Sequence, residues 1–470
     1  MSPLKVFNTL SAQKEDFVPL KGNEVKLYAC GPTVYDVCHL GHARMAMTFD
    51  IVVRYLRTAG YAVTFVRNIT DVDDKIIKRA RERGITPEQL AREYTYTYWH
   101  DMHALNMVPP DFEPRATEYI KQMIAFIQGL IEGGHAYESH GDVYFDVASF
   151  KEYGKLKKQS LNDLLSGARD QVRSQDELKE VKRSPVDFAL WKSIADDYGW
   201  DSPWGKGRPG WHLECSTMIK EILGETIDVH GGGEDLVFPH HENEIAQSEA
   251  LHNKPFAKYW LHNSFVQVEA EKMSKSLGNF RTIQDVLQRY SADTIRMFIL
   301  QTHYRSPIEF TGDNMDAAKT SMARLIRAAR GVQAEKISNG VVVAPETDED
   351  LKPFADDFFG AMDNDFNTPV AVSVLFALSD KVFQSDSEQS GKYAHALRKF
   401  ANILGFTLQD TSRELDNDTA HGVLELILQL RESARKNKDY NTSDLIRDSL
   451  QSLGIKVMDV KDGSVTWERS

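Results

Sequence analysis

The sequence is poor in cysteine and contains no long apolar run. Cys30, Cys38 and Cys215 are its only cysteines among 470 residues, too few and too scattered for a disulfide framework. Metal ligation, catalysis or simple burial remain open for these thiols. No apolar stretch approaches the roughly 18 residues that a membrane span needs, and residues 1–20 mix charged with apolar side chains, unlike a signal peptide. We therefore expect no membrane association and a cytoplasmic location.

Positive charge is also not in excess. The chain has 56 Lys and Arg against 69 Asp and Glu, a formal net charge of −13. Proteins that bind any polyanion are usually basic, so this balance argues against sequence-independent binding of nucleic acid. It still allows a nucleic acid that docks on a local basic face. The hydrophobic content of 41% is typical of a folded protein, and the length predicts about three domains.

A strand, a helix and a second strand are predicted near the start of the chain. Residues 25–30 and 61–66 have the apolar and β-branched composition of strands, and residues 42–59 place apolar side chains at helical spacing. This order predicts a βαβ unit, in which ligands bind at the carboxyl ends of the strands. The pattern is interrupted from about residue 110 to 205, returns at 210–264, and becomes mainly helical after residue 315.

Two separated motifs suggest a site for ATP phosphates. His39 and His42 flank Gly41 just before a predicted helix, where imidazoles and the helix N-terminus favour negative charge. Farther along the chain, Lys272 and Lys275 lie in a segment that contains serine and glycine and is typical of a flexible cationic loop. Taken singly, either motif is also compatible with a chance surface cluster or an exposed basic turn.

A run of three glycines follows the strand predicted over residues 225–229. Glycines at a strand end allow close contact with a purine or a ribose, so Gly232 is a candidate for ATP binding. Asp235, just beyond, could accept a hydrogen bond from a hydroxyl or an ammonium group. Without its position beside a strand, the run would equally indicate a tight turn.

Four scattered residues form a candidate metal site. His240 and Glu244 lie four residues apart at the start of a predicted helix that we expect Pro239 to open, and Cys30 and Cys215 would complete a Cys₂HisGlu set. Thiolate and imidazole ligands select zinc over magnesium or calcium. The spacing alone is weak, and buried cysteines beside a solvated turn are the alternative interpretation, as are packed or outer-shell roles for His241 and Cys38.

Several ordered segments resemble the cysteinyl-tRNA synthetases, a family of class I aminoacyl-tRNA synthetases. The matching segments are CGPTVYD at 30–36, HLGH at 39–42, RNITD at 67–71, GWHLEC at 210–215, HGGG at 230–233, HHENE at 240–244, KMSKSLGN at 272–279, ARKNKDY at 434–440 and GSVTW at 463–467. The resemblance runs nearly end to end. Leu40 replaces the isoleucine of the usual first signature, a change that conserves volume.

The resemblance implies an α/β fold with a Rossmann-like parallel-sheet catalytic domain in two halves, residues 1–110 and 206–264. It also implies a connective insertion (111–205), a stem-contact region with the lysine loop (265–314), a mainly helical bundle (315–407) and a small C-terminal anticodon-binding unit (419–470). The implied zinc ligands are Cys30, Cys215, His240 and Glu244, and Lys275 would contact ATP. Gly31, Thr70, Trp211 and Asp235 would line the amino-acid and adenylate pocket.

The implied activity is cysteine–tRNA ligation. Zinc would bind the substrate thiol, the cysteine carboxylate would attack the α-phosphate of ATP with Mg²⁺, His39, His42 and the lysine loop assisting, and the terminal adenosine of tRNA(Cys) would accept the cysteinyl group. A monomer is expected. Two alternatives remain: a ligase that joins cysteine to an amino-sugar, as in mycothiol biosynthesis, and a zinc-stabilised RNA-binding protein without catalysis. The former ligases lack the complete C-terminal unit, and the intact histidine and lysine motifs disfavour the latter.

Overall fold

The computed structural model describes residues 3–160, 163, 181–194, 198–268, 271–272, 281–330, 332, 348–409, 417–452, 455–459 and 465–469. Lys275 and the rest of the predicted lysine loop, residues 273–280, lie outside the described residues. The chain divides into two compact units, residues 1–409 and 410–470. In the part of the chain that is described, no helix combines the length and apolarity needed to cross a membrane.

The predicted βαβ unit opens the first unit and is confirmed. In chain order the elements are β1 (Lys5–Asn8), β2 (Gln13–Asp16), β3 (Glu24–Ala29), α1 (Leu40–Thr58), β4 (Ala62–Arg67), α2 (Asp74–Arg83) and α3 (Pro87–Ala104). Gly60 has a φ of 95° just after α1, a conformation that glycine adopts without strain and that ends the helix. The Thr86 side chain caps α3 by accepting a hydrogen bond from the Gln89 amide. The Gln89 side chain in turn accepts one from the Thr86 amide.

A second, antiparallel sheet lies between the two halves of the parallel sheet in sequence. It follows α4 (Ile120–Glu132) and consists of β5 (Ala136–Ser139), β6 (Asp142–Phe145), β7 (Phe188–Ser193) and β8 (Gly207–Pro209), paired in that order. It has a hydrophobic core of its own, separate from that of the helices around α1. This segment therefore folds beside the parallel sheet without adding a strand to it.

The chain then returns to the parallel sheet through α5 (Trp211–Ile222), β9 (Ile227–Gly233), α6 (Glu242–His252) and β10 (Ala257–Asn263). The strand order is β10-β9-β3-β4, with every pairing parallel. All seven residues of β9 are buried, as expected for a parallel sheet covered on both faces. The carboxyl ends of β3, β4 and β9 meet at one edge, where the candidate site residues gather.

Two boundaries differ from the prediction. β9 continues through Gly233, because the three glycines pair with Leu261, His262 and Asn263 of β10 rather than forming a turn. Pro239 does not open α6, which begins at Glu242. Phe238 has extended backbone angles (φ −142°, ψ 133°), and a residue before proline is sterically driven out of the helical region. The irregular helical turn Val237–His241 contains the proline, and the regular α-helix begins after it, at Glu242.

The rest of the first unit is mainly helical, as predicted. It contains β11 (Val266–Val268), β12 (Glu271–Lys272), α7 (Ile283–Leu287), α8 (Ala292–Leu300), β13 (Ile308–Glu309), α9 (Gly312–Ala328), α10 (Lys352–Asp363), α11 (Thr368–Gln384) and α12 (Ser387–Ile403). The three strands form a small sheet in the order β12-β11-β13. A break precedes α11, where the Asn367 side chain caps the helix and Pro369 lies in its first turn.

The second unit is a helical hairpin followed by a two-stranded antiparallel sheet. Its elements are α13 (Asn417–Lys436), α14 (Tyr440–Ser452), β14 (Ile455–Asp459) and β15 (Val465–Arg469). In the sheet, Val457 pairs with Trp467.

Candidate active site and metal centre

The four predicted metal ligands lie together in the structure. Cys30 follows β3, Cys215 lies on α5, His240 precedes α6 and Glu244 lies in its first turn. All four are buried, and their donor atoms lie within 4.8 Å of one another. The sulfur atoms are 3.9 Å apart, Cys215 Sγ is 3.7 Å from His240 Nε2, and Cys30 Sγ is 3.9 Å from Glu244 Oε1. This arrangement could hold one metal ion.

The neighbouring imidazoles orient these ligands. His230 Nε2 lies 2.7 Å from Glu244 Oε2, and His212 Nδ1 lies 2.8 Å from His240 Nδ1. Such outer contacts fix the tautomer and direction of a ligating group. Cys30, His230, His241 and Glu244 form an overlapping second set of possible ligands. The set with two thiols has the softer donors, and His241 already contacts His262 at 2.8 Å through its other nitrogen.

The pKa values of the groups in the buried cluster differ strongly from their usual values. The hydrogen bond with Cys30 lowers the pKa of Cys215 to about 6 despite burial, whereas burial raises the pKa of Cys30 well above its usual value. Burial opposes the charged forms of Glu244 and His240. Attraction to His230 and His240 nevertheless lowers the pKa of Glu244 to about 2, and attraction to Glu244 raises the pKa of His240 to about 10. In the cluster without a metal, Cys215 and Glu244 are therefore anionic at neutral pH, whereas Cys30 and His240 hold protons that a bound metal ion would displace.

The two signature histidines form the start of α1. The His39 side chain accepts a hydrogen bond from the Gly41 amide through Nδ1 at 3.0 Å, and His42 Nδ1 accepts one from the His39 amide at 3.2 Å. The rings stack with centroids 4.0 Å apart. Because each Nδ1 is an acceptor, the proton of each neutral ring belongs on Nε2. Both imidazoles can therefore donate from Nε2 to a phosphate oxygen.

Two glycines of the site are required by close packing. A Cβ on Gly31 would lie 1.5 Å from the backbone oxygen of Asn68, and the Gly31 amide donates to Asn68 Oδ1 at 2.8 Å. A Cβ on Gly232 would lie 2.8 Å from Leu236 and 2.9 Å from the ring of His241. These glycines bring the ends of β3 and β9 against neighbouring elements, which explains why larger residues do not fit there.

Thr70 and Trp211 both lie close to the candidate metal cluster, Thr70 beside Asn68 and Glu214, and Trp211 against His240. The Thr70 hydroxyl donates to Glu214 Oε2 at 2.8 Å and is 3.2 Å from the Asn68 amide nitrogen. Burial raises the pKa of Glu214 well above its usual value. The Trp211 ring stacks on His240 with centroids 4.2 Å apart and remains 37% exposed. Trp211 therefore packs against a candidate metal ligand while its ring remains accessible from the surface.

A cavity of about 610 Å³ opens beside this cluster. Five of the predicted site residues line it: Gly31, His39, His42, Trp211 and Asp235. Thr70, Gly232 and the four candidate ligands are buried beneath its walls. The phosphate motif and the candidate metal cluster thus lie beside one cavity. In the sequence, their residues are up to about two hundred positions apart.

The lysine motif is only partly visible. Lys272 lies in β12, which pairs with β11 so that Lys272 is opposite Gln267. Val266, also in β11, lines the cavity. The lysine motif therefore begins in a strand that is paired with a strand of the cavity lining. The position of Lys275 lies outside the described residues.

Several residues that support the site have no predicted role. Among them, His230 and Asn68 bond directly to groups of the candidate site, as do Glu214 and His262. A histidine within a buried strand is a recognisable signal for His230. The other contacts depend on how strands and helices are placed together, which periodicity does not reveal.

Three protein families match successive parts of the chain. The tRNA synthetases class I (C) catalytic domain matches residues 16–320, the DALR domain matches 357–409, and the cysteinyl-tRNA ligase anticodon binding domain matches 422–467. The first match alone spans more than half of the chain. The order of the three families follows the order of the α/β, helical and terminal regions of the structure.

Curated relatives match over nearly the whole chain. The cysteine–tRNA ligases of Haemophilus influenzae and Chromobacterium violaceum are each 47% identical, covering 99% of this chain and all of the relative. That of Heliobacterium modesticaldum is 44% identical with the same coverage.

Solved structures share the fold. Mycobacterium tuberculosis methionyl-tRNA synthetase with methionyl-adenylate is 15% identical, with a TM-score of 0.56 over 81% of this chain and 89% of its own. LeuRS of Agrobacterium radiobacter, in a ternary complex with tRNA and LeuAMS, is 11% identical, with a TM-score of 0.59 over 83% and 84%. At these identities the likeness establishes the class I synthetase fold. Together with the family matches and the curated relatives, it shows that the chain belongs to the cysteine–tRNA ligase family of class I aminoacyl-tRNA synthetases.

Proposed function

We propose that the protein activates cysteine with ATP, forming cysteinyl-adenylate and diphosphate, and transfers the cysteinyl group to the terminal adenosine of tRNA(Cys), releasing AMP. The observation that carries this proposal is the adjacency of a buried Cys₂HisGlu cluster and the His39–His42 pair at one cavity. A thiol-recognising metal centre and a phosphate site are the two parts that selective activation of cysteine needs. ATP would enter with Mg²⁺ as substrate.

The proposed resident metal is one Zn²⁺ held by Cys30, Cys215, His240 and Glu244. Tetrahedral zinc with bonds of about 2.0–2.3 Å places its donor atoms about 3.3–3.8 Å apart. The contacts of 3.7 and 3.9 Å that involve sulfur fit this spacing closely. His240 Nε2 and Glu244 Oε1 are closer, at 2.9 Å. When bound, zinc supplies a soft Lewis acid that prefers a substrate thiolate over a hydroxyl.

The protein's own groups position and stabilise the reacting atoms. His39 and His42 would donate from Nε2 to phosphate oxygens as negative charge develops during attack by the cysteine carboxylate. Lys272 and Lys275 would follow the departing diphosphate. Gly232 and Asp235 would contact the nucleotide.

The amino-acid side of the pocket has different donors and acceptors. The Thr70 hydroxyl donates a hydrogen bond to Glu214, so its oxygen can accept a hydrogen bond from the substrate ammonium. Gly31 permits close approach of the amino acid. Trp211 would close the pocket beside His240, against which it stacks. These contacts would orient the carboxylate toward the α-phosphate.

The acceptor is proposed to be tRNA rather than an amino-sugar. The cysteinyl-tRNA ligase anticodon binding domain matches residues 422–467, and the amino-sugar ligases lack this unit in complete form. The domain boundaries predicted above accompany this proposal, with residues 419–470 binding the anticodon end and 265–314 approaching the acceptor stem. A cytoplasmic monomer is proposed as well, since one chain supplies every site residue named here.

The direct test is cysteine-dependent exchange of diphosphate into ATP, followed by aminoacylation of tRNA(Cys). Zinc-loaded protein is expected to catalyse exchange with cysteine, and exchange with serine should be at least about 10⁴-fold weaker because the site is built for the thiol. The chelated protein is the control and should lose cysteine selectivity. Equal exchange with serine and cysteine would contradict the metal-recognition proposal, and exchange without aminoacylation would contradict the acceptor.

A further inference from the structure

A short turn packed against α6 belongs neither to the candidate ligand set nor to the phosphate motif. It spans residues 150–158, follows β6 in the chain, and is called here the amide turn. Gly154 within it has a φ of 95°, a conformation that glycine adopts without strain. The turn contacts α6 at the residue where that helix begins, two positions before the candidate ligand Glu244.

The Glu242 carboxylate accepts three hydrogen bonds from backbone amides of this turn. Oε1 accepts from the Gly154 amide at 2.8 Å, and Oε2 accepts from the Leu156 and Lys157 amides at 3.0 and 2.9 Å. Glu242 is fully buried. A concave turn that presents several amides binds an anion, and hydrogen bonds to a charged acceptor are stronger than those between neutral groups. The turn and the start of α6 are therefore firmly joined.

Two further side-chain contacts join the amide turn to α6. The Tyr153 hydroxyl donates to Asn243 Oδ1 at 2.5 Å, and both residues are buried. Lys155 forms an ion pair with Glu249, two helical turns beyond Glu242. Because the contacts extend along two turns of the helix, they fix its rotation about its axis as well as its position.

Apolar packing places the same turn beside the sulfur ligands. Leu156 is 2% exposed and belongs to the hydrophobic cluster that contains Cys30 and Cys215, as does Ile245 of α6. Protein interiors are close-packed and transmit small displacements. A shift of the amide turn would therefore reach the candidate ligands.

Glu242 and Glu244 have different partners although they are close in sequence. Residues two apart on an α-helix do not face each other, so Glu244 meets His230 at 2.7 Å in the metal cluster while Glu242 meets the amide turn. His230 orients the ligating carboxylate itself. The amide turn holds the part of the helix that carries it.

We propose that the amide turn positions α6 for metal binding, so that Glu242 and Tyr153 are positioning residues for the metal centre. Neither side chain would touch the metal ion or a substrate. The turn keeps the ligands on α6 and just before it at their spacing from the two thiols, which reduces the reorganisation that metal binding needs. This inference rests on the proposed function, because the ion concerned is the proposed Zn²⁺.

The test measures zinc affinity of the full chain by competition with a chromophoric chelator, at a temperature where circular dichroism shows each variant folded. Glu242→Gln keeps the size of the side chain, but its amide nitrogen cannot accept a hydrogen bond and would face an N–H group of the turn. Zinc affinity should fall about tenfold or more, as when other partners that orient metal ligands are removed.

Exchange kinetics add a second readout for the same variant. In cysteine-dependent diphosphate exchange, KM for cysteine should rise in Glu242→Gln together with the loss of zinc affinity. KM for ATP should change by less than about twofold, which is smaller than the effect of one lost hydrogen bond. A general structural defect would raise both constants.

Tyr153→Phe is a milder second variant. It removes only the hydroxyl that contacts Asn243 and leaves the ring in place. Zinc affinity should fall about threefold or more, the size of one neutral hydrogen bond. Because the ring remains packed, this variant carries the test if Glu242→Gln does not fold.

Asp293→Asn is the matched control. Asp293 is a buried carboxylate in the first turn of α8 and accepts hydrogen bonds from the backbone amides of Thr407 and Leu408. It makes the same kind of contact, but in the helical region. This substitution should lower the stability of the fold and leave zinc affinity and KM for cysteine within about twofold of the unmodified chain.

Unchanged zinc affinity in Glu242→Gln, or in Tyr153→Phe where the former does not fold, would overturn the inference. An equal loss of affinity in Asp293→Asn, or an equal rise of both KM values, would also overturn it. Failure of the unmodified chain to bind zinc would overturn the proposed metal centre, and the inference with it. Zinc binding that weakens as expected in a chain without cysteine-dependent exchange would support the positioning role and contradict the proposed activity.

Discussion

The sulfur atoms of Cys30 and Cys215 are 3.9 Å apart in a buried cluster. The two thiols nevertheless differ in pKa. The pKa of Cys215 is lowered to about 6, so this thiol is mostly ionised at neutral pH, whereas the raised pKa of Cys30 keeps its proton in place. Metal binding would have to release that proton. The preformed Cys215 thiolate therefore makes it the donor that a metal ion can meet first.

Replacing Cys215 should weaken metal binding and cysteine recognition together. In Cys215→Ser, zinc affinity should fall by more than the roughly 10–100-fold that loss of an outer-shell partner costs, and KM for cysteine in diphosphate exchange should rise. Metal content is measured by elemental analysis after dialysis. Cys38→Ser, a buried cysteine outside the cluster, is the control and should keep its metal. Unchanged metal content in Cys215→Ser would remove this residue from the ligand set.

At the scale of elements, the end of β9 is shaped by its contact with α1. The glycine run lets the strand approach the helix closely: a Cβ on Gly231 would lie 2.1 Å from the Phe49 ring. Phe49 is buried on α1, the helix that begins with the signature histidines. The same packing therefore fixes how closely the end of β9 approaches the helix that carries the phosphate motif.

Adding one methyl group at this contact should destabilise the fold. Gly231→Ala is expected to reduce the free energy of unfolding by about 1–3 kcal/mol, because overpacking forces α1 or the ring to move. Gly360→Ala makes the same chemical change inside α10, where nothing lies within 4 Å of the new Cβ. That control should stabilise the protein by about 0.5–1 kcal/mol. Denaturant unfolding measures both, and equal effects of the two substitutions would refute the packing argument.

At the scale of the first unit, a buried ion pair connects the α/β region to the helical region. Arg296 on α8 donates to Asp50 on α1 at 2.6 Å, and both side chains are 1% exposed. Asp50 also accepts from Arg54 and from the Val108 amide, and Arg296 donates to the backbone oxygen of Leu404. Residues more than a hundred positions apart in the chain thus share one polar centre.

Breaking this centre from one side should be costly. Asp50→Asn is expected to lower the free energy of unfolding by about 3–5 kcal/mol, because Arg296 would remain buried without its counter-charge. Asp356→Asn, in an exposed pair with Lys352, should change it by less than about 0.5 kcal/mol. Thermal and denaturant unfolding provide the comparison. A similarly small effect for both variants would contradict a structural role for the buried pair.

The same carboxylate should make stability depend on pH. Burial opposes ionisation of Asp50, but Arg296, Arg54 and the Val108 amide lower its folded pKa below the usual value. Its contribution is therefore fully present above the unfolded pKa of about 3.9 and is lost as pH falls through the folded pKa, since the unfolded state binds the proton more readily. Below about pH 4, stability should fall less steeply in Asp50→Asn than in the unmodified chain.

Local sequence was sufficient for features that depend on neighbouring residues. The strands and helix of the βαβ unit followed from periodicity. It did not locate the start of α6, because an irregular turn over Val237–His241 contains the proline and precedes the regular helix. It also predicted too short a strand for β9, because glycine is uncommon in strands and the pairing partner, β10, lies some thirty residues farther along the chain.

The sequence by itself determined the chemistry available to this protein: two imidazoles around a glycine, a lysine motif, and soft donors for a metal, in an order that resembles one synthetase family. Only the tertiary structure decided that Cys30, Cys215, His240 and Glu244 meet, that His230 and His212 orient them, and that Trp211 stands between this cluster and the phosphate cavity. The physical reason is that parallel strands bring their carboxyl ends to one edge regardless of their separation in the chain. Residue identity sets what a side chain can do, and the sheet order decides which side chains act together.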